Sequence, residues 1–272
     1  MHEFIIAIIQ GIVEGVTEFL PVSSTGHLIL SGELLGFTGE KADTFEIIIQ
    51  LGAILAVAVI YWRRILGLLG LMKIQSENGD TKERPKLNLL HIILACLPAM
   101  ILGFILHSFI KTYLFSPYTV LAGLVLGGLF MLLGQKKQTP VRAESIDQLS
   151  YRQALTIGLF QCLSLWPGFS RSGATIAGGL LAGAGYKAAT NFSFLVAIPM
   201  MIAASGYELL KSYQTLTAAD AGFFIVGFLV AFVVALLAVI TFLKLLERLK
   251  LAPFAYYRFA LAAIFFIYLL AH

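Results

Sequence analysis

The chain has 272 residues, of which 59% are hydrophobic and only 12% charged. Soluble domains carry about 25% charged residues, so a pair of soluble domains is excluded. Apolar segments recur along the whole length, which reads as one all-α polytopic membrane domain over residues 1–272. The formal charge of +4 resides in loops, where it marks membrane orientation and not affinity for nucleic acid. The N-terminus has no basic n-region or small-residue cleavage site, so no removable signal peptide is expected. Cys96 and Cys162 both lie in apolar surroundings, which speaks against a disulfide framework or thiolate metal site. Neither a GxxxxGK[ST] loop nor GxGxxG is present, which argues against an ATP-driven pump or a nicotinamide enzyme.

In chain order, Phe4 to Leu35 is the first re-entrant helix–turn–helix candidate, and Gly36 to Asp43 is a short polar loop. Thr44 to Trp62 is long enough to span a bilayer. Arg63 to Asn88, with Pro85, reads as a long charged loop. Leu89 to Phe109 spans next, carrying Pro98; Ser116-Pro117 marks a tight turn, and Tyr118 to Gly134 spans again. Gln135 to Arg152 is a second charged loop. Ala154 to Gly185 is the second re-entrant candidate, and Asn191 to Leu210 spans with Pro199. Lys211 to Asp220 is a loop. Ala221 to Leu243 spans, Lys244 to Lys250 is a basic turn, and Pro253 to Leu270 is the last span. The expected architecture is six transmembrane helices and two re-entrant hairpins.

Two polar stretches interrupt this apolar pattern. The first runs Glu14-Gly15-Val16-Thr17-Glu18-Phe19-Leu20-Pro21-Val22-Ser23-Ser24-Thr25-Gly26-His27, the second Trp166-Pro167-Gly168-Phe169-Ser170-Arg171-Ser172-Gly173. At an offset of 147 residues Gly11 aligns with Gly158, Ser23 with Ser170, Thr25 with Ser172, Gly26 with Gly173 and Phe45 with Phe192. The chain thus reads as two repeats, approximately 1–134 and 150–272. Each holds one hairpin and an odd number of crossings, so the halves insert in opposite directions and their hairpin tips can meet near the midplane. Irregular backbone at that depth must be buried in protein or line a wet cavity. Arg63, Arg64, Lys73, Lys82, Arg84, Lys86, Lys136, Lys137, Arg142, Arg152, Lys244, Arg248 and Lys250 fall on one side, against Lys41, Lys111 and Lys211 on the other. The positive-inside rule assigns the first group to the cytoplasm and both termini to the outside.

Ionisable residues in hydrocarbon are costly and usually functional. Glu14 and Glu18 are four apart, which puts both carboxylates on one helix face. They could hold a divalent cation, which favours oxygen ligands, or one could act as general acid or base; an ordinary surface pair is the bland alternative. Pro21 ends that helix, and a second half-helix can start near Gly26. Its amides and dipole would face the turn and favour an anion. Ser23, Ser24, Thr25 and Gly26 could bind phosphate oxygens, or the hydroxyls could merely cap a helix. Ser24 or His27 could be a nucleophile, and His27 could instead activate a hydroxyl. Arg171 could clamp phosphate bidentately or only pair with Glu14 or Glu18. Ser170, Ser172 and Thr175 flank it. Glu46 and Gln50 are candidates for supporting contacts, Asn191 and Ser193 for packing, and Glu208 and Arg258 receive no role. Such a set fits phosphoryl chemistry, and a midplane site suits a lipid phosphate.

EGVTEFLPVSSTGH and PGFSRSG resemble the two signature regions of the bacterial undecaprenyl-diphosphatase (bacitracin-resistance) family, and the likeness continues through FEIIIQLGAILAV. The resemblance implies hydrolysis of undecaprenyl diphosphate to the monophosphate and inorganic phosphate. That recycles the lipid carrier for peptidoglycan synthesis and confers bacitracin resistance. It implies catalytic Glu14, Glu18, Ser24, His27 and Arg171, with Ser170 and Thr175 on the second motif. It also implies dependence on a divalent cation (Mg²⁺ or Ca²⁺), residence in the cytoplasmic (inner) membrane and a site facing the periplasm. The expected partners are the polyprenyl diphosphate and membrane lipids, with no nucleic acid; a homodimer is left open. Ser24, with His27 as base and later acid, is the working nucleophile, beside His27 itself or a metal-held water. The competing reading is an inverted-repeat transporter or lipid flippase, which would use the same residues to bind substrate and a coupling ion.

Overall fold

The computed structural model describes residues 2–72, 87–212 and 220–271. Lys73, Lys82, Arg84, Pro85 and Lys86 of the first charged loop lie outside the described residues. The described chain is almost wholly helical: α1 (His2–Thr17), α2 (Ser24–Leu35), α3 (Glu40–Ile60), α4 (Trp62–Leu68), α5 (Leu89–Phe109), α6 (Pro117–Lys136), α7 (Tyr151–Gln161), α8 (Arg171–Leu181), α9 (Tyr186–Ser212), α10 (Ala221–Leu249) and α11 (Ala252–Ala271). Six of these, α3, α5, α6, α9, α10 and α11, are long and apolar enough to cross a membrane. At 1.5 Å per residue their 20 or more residues span the roughly 30 Å hydrocarbon layer. The protein is therefore a multi-pass helical membrane protein.

Helix α1 lies on α10 as α7 lies on α5, and α3 lies on α10 as α9 lies on α5; α3 and α9 meet, as do α6 and α11. The aligned glycines explain part of this. A Cβ on Gly11 of α1 would come within 2.8 Å of the Gly227 carbonyl oxygen of α10. One on Gly158 of α7 would come within 2.7 Å of the Ala95 carbonyl oxygen of α5. Helices in lipid associate by close packing at small residues, so each glycine seats a hairpin arm on a spanning helix. Phe45 and Phe192, the aligned aromatics, are both fully buried.

Ionic contacts sort the loops by end. Arg64 of α4 pairs with Asp147, between α6 and α7, which joins two of the basic loops. At the starts of α1, α3 and α10, Lys41 bridges Glu3 at 3.0 Å and Asp220 at 2.7 Å.

Several boundaries differ from the sequence reading. Trp62–Leu68, placed in the first charged loop, forms α4. The basic turn Lys244–Lys250 is helical as far as Leu249, because no Gly or Pro interrupts the leucine-rich run before Pro253. The chain turns at Lys250 (φ 57°), and the Leu251 and Ala252 amides donate to Gln135 Oε1 at 2.9 Å each. Helix α9 begins at Tyr186, five residues before the expected Asn191. Ser116 caps α6 and Pro117 takes its first position, where a missing N–H costs nothing.

Candidate active site

Each polar stretch forms a helix–turn–helix hairpin, α1–α2 and α7–α8. Helix α1 ends at Thr17, so Glu18 lies in the turn and not within the helix, although its amide still donates to the Glu14 carbonyl at 2.9 Å. The second arm starts at Ser24, two residues before the expected Gly26, because Ser23 is the cap. Ser23 and Ser170 share an unusual conformation, both at φ 73°. Each hydroxyl oxygen accepts from the amide three residues on, Gly26 at 3.4 Å and Gly173 at 3.2 Å. A non-glycine residue at positive φ is strained, and such strain concentrates at functional turns. The two serines thus turn equivalent corners.

The tips of the two hairpins touch. Ser172 donates its hydroxyl to the Leu20 carbonyl at 3.0 Å. Arg171 Nη2 donates to Glu18 Oε1 at 3.0 Å, while Ser24 Oγ donates to Glu18 Oε2 at 2.5 Å. One carboxylate therefore joins the guanidinium of one hairpin to the hydroxyl of the other. Arg171 also packs over the Phe19 ring at 5.3 Å and reaches Met201 Sδ and the Ser193 carbonyl. Thr175 shares a 2.6 Å hydrogen bond with Ser193, which braces α8 on α9.

Glu14 is the least satisfied group at the site. It is 1% exposed, and neither carboxylate oxygen has a hydrogen-bond partner. A bare buried carboxylate is costly unless a proton or cation accompanies it. The two orphaned oxygens of Glu14, four residues before the Glu18 carboxylate, have the chemistry of a ligand for a hard divalent cation, which takes carboxylate oxygens and can complete its shell with phosphate oxygens and water. Among the described residues no cluster of three or more His, Cys, Asp or Glu side chains is found, so the remaining ligands would come from substrate and water.

The sequence-derived residues divide into two groups. Glu18, Ser24 and Arg171 converge as described, Glu14 lies one turn before Glu18 near the end of α1, and Thr25, next to Ser24 on α2, is half-buried. Ser172 and Thr175 are fully buried, with hydroxyls committed to internal hydrogen bonds; Ser170 caps α8 and touches Ser172 at 3.2 Å. Gly26 packs against Leu124. His27 does not meet Ser24. Its Nδ1 is 2.7 Å from the Ser23 carbonyl oxygen, and its Nε2 is 2.7 Å from the Tyr257 hydroxyl. The Ser24 hydroxyl is bonded to Glu18, while the His27 ring is bonded to Ser23 and Tyr257. Gln50 accepts from Ser205 at 2.7 Å.

Two α11 residues gain a role only from the structure: Tyr257, which the sequence did not single out, and Arg258, which it named without a role. Arg258 is 0% exposed. It donates to the carbonyls of Leu124 (3.1 Å), Gly123 (3.0 Å), Gly168 (2.7 Å) and Phe169 (2.8 Å). It therefore locks the loop before Arg171 onto α6. The available signal was an arginine in the middle of an apolar span, where charge requires a reason.

Fold and site define a polytopic membrane protein with a polar centre. Two broken hairpins bring acids, a hydroxyl and a guanidinium together inside an apolar helix bundle. Comparison with known proteins agrees and is more specific: the chain belongs to the family Bacitracin resistance protein BacA, which matches residues 7–264. It is 54% identical over 270 residues to proteins named undecaprenyl-diphosphatase 1 from Bacillus thuringiensis (strain Al Hakam), Bacillus anthracis and Bacillus cereus (strain ZK / E33L). In each case the match covers 99% of this chain and all of the relative.

Proposed function

We propose that this chain is a membrane lipid pyrophosphatase that hydrolyses undecaprenyl diphosphate to undecaprenyl phosphate and inorganic phosphate. The observation that carries the reading is the Glu18 carboxylate, shared between the Ser24 hydroxyl and the Arg171 guanidinium. In this reading Ser24 Oγ passes its proton to Glu18 as it attacks the terminal phosphorus. The bond to the bridging oxygen breaks, the lipid monophosphate leaves, and water then releases phosphate from Ser24. Arg171 and the first amides of α2 offset negative charge on the transferring group, the main catalytic task in phosphoryl transfer. A divalent cation, when bound, would draw charge off the diphosphate oxygens; Glu14 and Glu18 would hold it. His27, one turn from Ser24 on α2 but turned from its hydroxyl to the Ser23 carbonyl and the Tyr257 hydroxyl, would exchange a proton through Nε2 with bound substrate or water and not with Ser24.

The proposal extends to topology. Residues 1–134 and 150–272 are repeats inserted in opposite directions, so the hairpins enter from opposite faces of the bacterial cytoplasmic membrane and meet near its middle. The basic loops face the cytoplasm, both termini lie outside, and the site opens to the outer side. The lysines and arginines at 63–64, 136–152 and 244–250 support this orientation.

Purified protein in detergent, given undecaprenyl diphosphate with Mg²⁺ or Ca²⁺, should release phosphate, and EDTA should stop the release. A detergent micelle supports no gradient, so a pure transporter would release none. Absence of phosphate from folded protein under every metal condition would shift the reading to lipid transport, which the broken-helix hairpins would also accommodate.

A further inference from the structure

The structure assigns a positioning role to Tyr257: it holds His27 in one tautomer and one orientation at the hairpin tip. This inference rests on the hydrolase reading above. A carbonyl oxygen only accepts, so His27 Nδ1, 2.7 Å from the Ser23 carbonyl, must carry a proton. In the neutral ring the lone pair is then on Nε2, which faces the Tyr257 hydroxyl at 2.7 Å. The phenol is the donor in that state. When the ring is protonated the bond reverses, with Nε2–H donating to the phenol oxygen and the phenol hydrogen free to point elsewhere. The two rings lie nearly parallel, at 5° between planes and 5.6 Å between centroids.

Three features make this more than a chance contact. The carbonyl that orients Nδ1 belongs to Ser23, the strained cap of the hairpin corner, so the imidazole is referenced to the turn that carries Ser24. Tyr257 is next to Arg258, which fixes α11 to the second hairpin's loop through the Gly168 and Phe169 carbonyls. A residue from the last helix thus sets the histidine of the first hairpin against a frame tied to the second. Finally, Tyr257 is 48% exposed, so the phenol is not needed to fill the core. Orientation through a partner on the second ring nitrogen is a general way of fixing histidine chemistry.

The test is a double-mutant cycle on phosphate release with nitrogen NMR of the histidine ring. Tyr257→Phe should turn over about tenfold more slowly, one hydrogen bond's worth, with KM within about twofold. The Tyr257→Phe/His27→Gln double variant should be no slower than His27→Gln alone. In ¹⁵N-histidine-labelled protein, the unprotonated ring nitrogen of His27, assigned by its loss in His27→Gln, should move downfield in Tyr257→Phe while unfolding temperature is unchanged. Turnover of Tyr257→Phe at the wild-type rate, losses that multiply, or an unmoved ring-nitrogen signal would overturn the inference. Wild-type protein that releases no phosphate would instead remove the hydrolase reading, and the NMR comparison would still decide whether Tyr257 positions His27.

Discussion

Replacing Arg258 by Met should unfasten the second hairpin. The side chain is fully buried and donates to four carbonyls. Two of these, Gly123 and Leu124, belong to α6 and keep their helical bonds. The other two, Gly168 and Phe169, lie in the loop just before Ser170 and Arg171. Leaving a buried acceptor unsatisfied costs about 1–3 kcal/mol, so two cost roughly 2–6 kcal/mol. At about 2–4 °C per kcal/mol for a chain of this size, the unfolding midpoint in detergent should fall by roughly 4–24 °C. Phosphate release should fall with it, because the loop that presents Arg171 is no longer held. Arg258→Lys, which keeps a donor but not the fork, should lie between Met and wild type and provides a folded comparison. An Arg258→Met midpoint within 1 °C or so of wild type would refute this account of the clamp.

Other expectations follow from the same geometry. Glu18→Gln keeps the shape but removes the base and the Arg171 partner, so phosphate release should drop about 10²–10⁴-fold; a smaller loss than tenfold would speak against both roles. Glu14→Gln should raise the cation concentration needed for half-maximal release roughly ten- to hundredfold. Cation binding should also raise the wild-type unfolding temperature by mass action, and Glu14→Gln should abolish that rise; an unaltered thermal response would count against Glu14 as a ligand. Gly158→Leu would force a side chain into the Ala95 carbonyl and should destabilise the protein by at least about 1–3 kcal/mol. Normal stability of that variant would mean that α7 does not depend on its close seat on α5.

Much of the fold was legible because hydrocarbon imposes a simple grammar. Segment length and hydropathy located the six spans found among the described residues, and Ser116-Pro117 marked the start of α6. Gly11 and Gly158, which the sequence aligns, each seat a hairpin arm against a spanning helix. The end of α10 was not legible: charge alone suggested a turn, whereas a leucine-rich run with no breaker continues as helix to Leu249. At the candidate site, residue types named Glu14, Glu18, Ser24 and Arg171, since polar groups in an apolar run stand out. The Arg171–Glu18 pair was among the alternatives the sequence offered, whereas the Ser24–Glu18 bond was less accessible. Ser24 and His27 are close in sequence, but the strained corner at Ser23 turns the imidazole to Tyr257 and leaves Ser24 to Glu18. Such long-range partners, 230 residues apart for His27 and Tyr257, depend on how α11 packs and leave no local trace.

The central claim is that two hairpin tips make one phosphoryl-transfer site, with Glu18 coupling Ser24 to Arg171. It is tested most directly by phosphate release from undecaprenyl diphosphate with saturating Mg²⁺, measured for Glu18→Gln, Arg171→Ala and the double variant. Residues acting as a unit are strongly non-additive. Each single variant should therefore be severely impaired, and the double variant should be no worse than the poorer single. Near-wild-type release from either single variant, or losses that multiply in the double, would contradict a shared site.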